Sequence, residues 1–311
     1  MSDALQRCPR CGNENPADSY QCSFCGKRLR FERIENIGIF KRIESEAWTN
    51  PLPWYLKIAY LFIRPNYAFW DINHKRKDAP GFLILLFNSL LWGLMGLAFF
   101  SHFQITSISG QAISPLSVWL ISYQLSVFIA FFIFGFVFQF VYFAILIWLF
   151  SKAANYAVGF SERLESRFGE DEKFERKEMS PFSIYKGGTI LQKQQSHKFK
   201  MMLCAFAPFL LINGIKILII LIAFPSTTMD ASLESFNLDI YNNLFNSPVW
   251  AVLDLLDALT IAIWIPILIS IAIRELGNSS TYRVLISSII VGVLVAIFFY
   301  FMRPTLFGAF I

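Results

Sequence analysis

Five long apolar runs constrain this chain more than any other feature. They fall at about 80–100, 116–150, 201–224, 249–273 and 284–302. A helix needs about 20 apolar residues to cross the hydrocarbon of a bilayer, and hydrocarbon offers the backbone no hydrogen-bond partners. Each run therefore reads as a helical span. Composition agrees: of 311 residues only 16% are charged and 55% are hydrophobic, whereas an average soluble domain carries roughly 25% charged residues. An ordinary soluble enzyme, a disordered chain and a collagen are excluded. The second run has about 35 residues, roughly 52 Å at about 1.5 Å per residue. One long, tilted helix protruding from the membrane is the preferred reading, and a kink near Gly135 the other.

Basic residues alternate between the loops. The segment before the first span carries Lys75, Arg76 and Lys77, and the 151–200 segment carries ten Lys and Arg residues. The turn after the fourth span has Arg274 and Arg283, while 102–115 and 225–248 have no Lys or Arg. By the positive-inside rule this predicts a cytoplasmic N-terminus and a C-terminus on the opposite side. The expected fold is all-α, a five-span polytopic helical membrane bundle with a small N-terminal metal module. Its parts are residues 1–30, a basic aromatic juxtamembrane segment at 31–79, and a membrane domain at 80–311.

Four of the five cysteines lie in the first 25 residues. Cys8-Pro-Arg-Cys11 and Cys22-Ser-Phe-Cys25 are two CxxC units, each followed by a glycine (Gly12, Gly26). Two intervening residues let both thiolates of a tight turn reach one ion, and two such turns complete the tetrahedral four-sulfur site that Zn²⁺ favours. Iron in a rubredoxin-like site and redox chemistry are the competing readings. The second is disfavoured because two adjacent pairs chelate metal and no βαβ pattern follows. A site closed by four cysteines has no open position for catalysis, so the zinc is structural. The segment between the pairs, Gly12 to Gln21, reads as a miniature β-hairpin. The module resembles the zinc ribbons that head many prokaryotic membrane proteins. Its basic tail (Lys27, Arg28, Arg30) suits anionic lipid better than nucleic acid.

In the juxtamembrane segment, Trp54, Tyr55, Tyr60, Tyr67, Phe69 and Trp70 interleave with Lys57, Arg64 and Lys75 to Lys77. Aromatic rings favour the headgroup level and clustered cations favour anionic lipid. Trp54, Trp70, Lys75, Arg76 and Lys77 are thus the expected membrane-interface residues, with 54–63 a short helix on the membrane surface.

Within the spans, Lys216 and Asp257 each lie eight residues from the outer end of their run, about 12 Å deep. Asp254 shares a helical face with Asp257. Intramembrane ionisable groups are functional candidates by default, and Lys216 is expected to pair with Asp257 or Asp254. Asn88, Gln139 and Asn213 are expected to hydrogen-bond between helices. No nucleophile–base set, Walker loop or catalytic metal motif occurs, so no enzymatic activity is expected.

The run Phe62-Ile-Arg-Pro65-Asn-Tyr-Ala-Phe69-Trp70, then Pro80 and an apolar span, resembles the opening of the Yip-one domain of the Ypt-interacting protein family. Gly187-Gly188, Ala207-Pro208 and the stretch Trp264…Arg274-Glu275-Leu276-Gly277-Asn278-Ser279 resemble later parts of its pattern, in order, over about 60–311. With its zinc head, the chain resembles prokaryotic or archaeal members. The resemblance implies a non-catalytic membrane scaffold or adaptor in membrane organisation or trafficking. Its partners would be the lipid bilayer and an unidentified cytoplasmic protein, with a small GTPase implied by resemblance alone. The location would be the cell membrane in a prokaryote, or Golgi and ER in a eukaryote. The alternative is a transporter or channel built on the Lys216–Asp257 pair. The sequence leaves oligomerisation open.

Overall fold

The computed structural model of the protein describes residues 5–17, 19–43, 50–75, 79–106, 118–159, 196–230 and 247–308. Arg76, Lys77, Gly187-Gly188 and most of the 151–200 segment lie outside the described residues, as does the side chain of Lys75. Among the described residues the chain is all-α apart from two pairs of very short strands. Strands β1 (Leu5–Arg7) and β2 (Glu14–Pro16) pair antiparallel in the N-terminal module. Helices α1 (Trp54–Ile63) and α2 (Pro65–Lys75) follow, then the long helix α3 (Gly81–Phe100) and strand β3 (Phe103–Thr106). The remaining long helices are α4 (Val118–Val158), α5 (Ser196–Ala223), α6 (Pro248–Gly277) and α7 (Thr281–Gly308), with β4 (Thr227–Asp230) after α5.

The five long helices α3 to α7 each contain an apolar stretch long enough to cross a membrane. Their surfaces fit lipid better than water. Phe134, Leu294 and Ile222 are 61%, 61% and 84% exposed, beside many other exposed apolar side chains of a kind soluble monomers do not display in quantity. Helix α4 runs without interruption for 41 residues, about 62 Å.

Two spans are interrupted, which the sequence reading did not anticipate. In α5, Pro208 has no N–H to give to Cys204 O, and that carbonyl instead accepts from Ala207 N at 3.2 Å, making a 3₁₀ turn over Cys204–Phe206. In α6, a π-helical turn covers Thr260–Trp264, immediately before Pro266. Thr260 Oγ1 donates to Leu256 O at 2.7 Å beside it.

The chain divides into two compact units, described separately. The first comprises residues 1–82, 144–207 and 262–295, the second 83–143, 208–261 and 296–311. In the first, α2 packs against the C-terminal half of α6, and Phe69, Ile72, Phe206, Ile265 and Ile273 are among its buried side chains. Two interfacial expectations are corrected there. Trp70 is 6% exposed, its ring stacked between Tyr67 and His74, so it packs inside the protein. Lys57 is fully buried and faces Asp71 at 3.7 Å, with Asp71 also accepting from Leu52 N. Trp54 and Tyr55 do remain about half exposed on α1.

In the second unit, β3 and β4 pair in parallel, from Phe103 opposite Thr227 to Thr106 opposite Asp230. Ala98, Ile220, Phe224, Val249 and Leu253 form a buried cluster there, joined by Phe99 and Trp250. Asn213 Nδ2 donates to Asn88 Oδ1 at 3.2 Å, linking α5 to α3. Gln139 is buried too, but its Oε1 has no hydrogen-bond partner among the described residues.

Glycines allow the close approach of α3 to α4. A Cβ on Gly96 would lie 2.5 Å from Phe131 Cγ and 2.9 Å from its Cβ, and one on Gly93 would strike the Phe128 ring. The Phe131 atoms are too near their own backbone to yield. Gly96→Val is expected to destabilise by about 1–3 kcal/mol, visible as a lower thermal aggregation temperature in detergent. Gly214→Val, at a site with nothing within 4 Å of the added Cβ, is the control expected to change little.

Candidate metal centre and intramembrane ion pair

Each CxxC pair is the turn of its own small hairpin. The first joins β1 to β2: Cys8 N donates to Asn13 O at 2.9 Å and Gly12 N to Cys8 O at 2.9 Å. The second lies between the bridged residues Gln21 and Arg28, with Cys22 N donating to Lys27 O and Gly26 N to Cys22 O. Gly12 and Gly26 have φ of +73° and +68°, the left-handed region that glycine enters without a Cβ penalty. The hairpin expected between the pairs is thus displaced. The strands flank the first pair, because the metal turn itself reverses the chain.

The four thiol sulfurs lie within 4.8 Å of one another. Cys8–Cys25 and Cys11–Cys22 are 3.6 Å apart, close to the ~3.8 Å edge of a tetrahedron with metal–sulfur bonds of about 2.3 Å. Asn15, which sequence reasoning did not single out, sits buried at the centre. It donates to Cys22 Sγ at 3.5 Å, while its Oδ1 accepts from Ser23 N at 2.8 Å. Such a partner orients a thiolate from behind.

The thiols are electrostatically unequal. Burial acts against the Cys8 thiolate, but the amides of Arg10 and Cys11 and the neighbouring thiols outweigh it and set its pKa at about 6. Burial, reinforced by the surrounding sulfurs, pushes Cys25 up to about 12. Four thiolates cannot gather here without a cation, and a divalent metal removes that conflict by displacing the protons. The donor set and geometry fit Zn²⁺.

The module is fastened to the turn between α6 and α7. Asn278, in the left-handed conformation at φ +47°, ends α6. Its amide pairs with the peptide of Gln21: Nδ2 donates to Gln21 O at 2.6 Å and Oδ1 accepts from Gln21 N at 3.0 Å. Behind it lies a buried charged network that the sequence did not reveal. Arg42 pairs with Glu35 and donates to Asn278 Oδ1 and to Ser279 O. Arg274 pairs with Glu275 at 2.7 Å and donates to Phe40 O at 2.6 Å. Of the two basic residues at this turn, Arg274 is fully buried and Arg283 is exposed. Glu32 accepts from Ser280 Oγ and Tyr282 N, capping α7, where a carboxylate complements the helix dipole.

In the second unit, Lys216 Nζ donates to Asp257 Oδ2 at 2.5 Å. Asp254 is half-buried one turn earlier on α6. Asp257 Oδ1 has no hydrogen-bond partner among the described residues, and the aspartate lies one turn before the π-helical segment.

A zinc-ribbon domain model matches residues 7–29. Comparison with curated proteins and with solved structures found no match. The chain therefore combines a zinc-ribbon module with five apolar helices compatible with a multi-pass membrane protein.

One zinc per chain is expected by elemental analysis of the purified protein. Cys11→Ser should abolish most of it, and chelation or acidification should open residues 5–29 to limited proteolysis, since about 25 residues cannot build a core without the metal.

Proposed function

We propose that this protein is a non-catalytic membrane scaffold of the Yip type. A structural zinc ribbon, on the cytoplasmic side by the charge pattern, serves as its partner-binding surface. The observation that carries the reading is the two-way pairing of Gln21 with Asn278. It argues against a module swinging on a tether and for one presented in a fixed pose on the helix turn, as a docking platform requires. The linker reinforces that pose through Glu35 and Arg42. The resemblance to the Yip-one domain supports the same reading, because the stretch Arg274 to Ser279 that carries it is where the module is fastened. Its implied partner is a cytoplasmic protein, with small GTPases the class suggested by the resemblance.

Proximity labelling in cells, comparing the intact chain with one lacking residues 1–30, tests this. Loss of a discrete set of labelled proteins on deletion is the expected result. An unchanged set removes the platform role.

Lys216 and Asp257 favour a second reading, movement of a proton or ion. Their pair sits beside a π-turn, a feature frequent at functional sites, and discontinuous spans are typical of transporters. The scaffold reading expects no flux of protons or Na⁺ from reconstituted liposomes, with Asp257→Asn indistinguishable from wild type. A flux abolished by Asp257→Asn establishes the transport reading instead.

A further inference from the structure

The first unit contains a half-open cavity of about 940 Å³ framed by the zinc module's basic tail, the linker and the α1–α2 corner. Its wall carries Arg28, Lys41, Arg42 and Arg64 and no acidic residue. Arg42 is neutralised by Glu35 and all three of its guanidinium nitrogens are engaged. The other three cations have no such carboxylate partner among the described residues. Arg28 donates to Arg42 O and lies over the Phe31 ring, but its Nε is buried with no hydrogen-bond partner among the described residues. Lys41 and Arg64 are exposed, with no carboxylate partner among the described residues. Three positive charges around one concavity attract an anion.

The rim is apolar. Ile37, Ile39 and Ile63 line the cavity and are 54%, 46% and 72% exposed. A free phosphate would satisfy the cations but leave these side chains in water. The cavity would also hold about thirty waters at ~30 Å³ each, far more space than one phosphate fills. A ligand with an anionic phosphate head and an attached hydrocarbon part satisfies both surfaces. Arg64 also directly follows α1, whose Trp54 and Tyr55 are half exposed, side chains suited to the headgroup level of a bilayer.

We propose that this cavity binds the headgroup of an anionic phospholipid, with its phosphate held by Arg28, Lys41 and Arg64 and its acyl chains leaving over Ile37, Ile39 and Ile63. The site selects lipid by charge and ties the ribbon-bearing end of the first unit to an anionic membrane surface, independently of any protein partner.

Native mass spectrometry of the delipidated full-length protein tests the assignment, using dioleoyl phosphatidylglycerol, neutral dioleoyl phosphatidylcholine and water-soluble glycerol phosphate as probes. Phosphatidylglycerol is expected to be retained in preference to phosphatidylcholine. Lys41→Gln/Arg64→Gln, which removes two exposed cations, should weaken that retention roughly thirtyfold. Lys41→Arg/Arg64→Lys should keep it, with zinc content as the check that the first unit is folded. Equal retention of the neutral lipid overturns the proposal, as does unchanged binding by the Gln variant. Displacement of the lipid by equimolar glycerol phosphate reassigns the site to a soluble phosphate compound and overturns the lipid assignment. If the Gln double variant loses zinc, Arg64→Gln alone decides, with a five- to sixfold loss as the supporting result (about 1 kcal/mol per cation) and no loss as the refutation.

Discussion

Hydrocarbon cannot hydrogen-bond a peptide group, and every span of this protein has to satisfy its backbone from within. That requirement makes the two interruptions informative. Pro208 and Pro266 each remove one donor from an apolar helix. In α5 the released carbonyl of Cys204 is recaptured by Ala207 N in a tighter turn, with Cys204 Sγ donating to Lys200 O nearby. In α6 the chain widens into a π-turn before the proline. The Cys204–Phe206 turn is fully buried, where surrounding protein tolerates irregular backbone that lipid would not.

The same constraint governs the charges. Burying an unpaired ion costs several kcal/mol even after relaxation, and each fully buried cation among the described residues is matched. Arg274 answers Glu275, Arg42 answers Glu35, Lys57 faces Asp71 and Lys216 bonds Asp257. Three of these pairs lie in the first unit, where the zinc module, the linker and the helix ends meet. Buried ion pairs are poor sources of net stability against well-packed apolar side chains. Their value is geometric. Arg42 has to find both Glu35 and the Asn278–Ser279 turn at once, and that dual demand admits one docking pose of the linker.

Local patterns were legible in the sequence and distant ones were not. The two CxxC pairs declare the metal site because all four ligands lie within one short stretch. The apolar runs declare the helices because lipid forces one backbone solution. The pairing of Lys216 with Asp257 could be expected because each lies the same number of residues from the end of its run. By contrast, Arg42 and Asn278 are 236 residues apart, and nothing in either neighbourhood announces the other. The burial of Arg274 was not legible, because a basic residue at the end of a span looks alike whether it faces solvent or is buried in an ion pair. Trp70 and Lys57 were misread for a related reason. An aromatic, basic helix has the same composition whether it faces lipid or packs on α6, and only the neighbour decides. The prolines were the overlooked signal, since each marks a missing donor in a run that otherwise reads as unbroken helix.

Asn278 connects these threads. A non-glycine residue in the left-handed region is disfavoured by roughly 1–2 kcal/mol, less for Asn, and glycine at this position would remove that cost. What glycine lacks is the amide that pairs with Gln21 and accepts from Arg42. Gln21 immediately precedes Cys22, so the backbone that Asn278 grips opens the second CxxC turn. The ordered ribbon is therefore what makes the asparagine worthwhile, and the asparagine in turn rewards the ordered ribbon. By linkage, whatever free energy the metal contributes to folding the module is shared with the turn that joins α6 to α7. A few hydrogen bonds thus make a small metal-dependent fold and the end of a long apolar helix into one cooperative element.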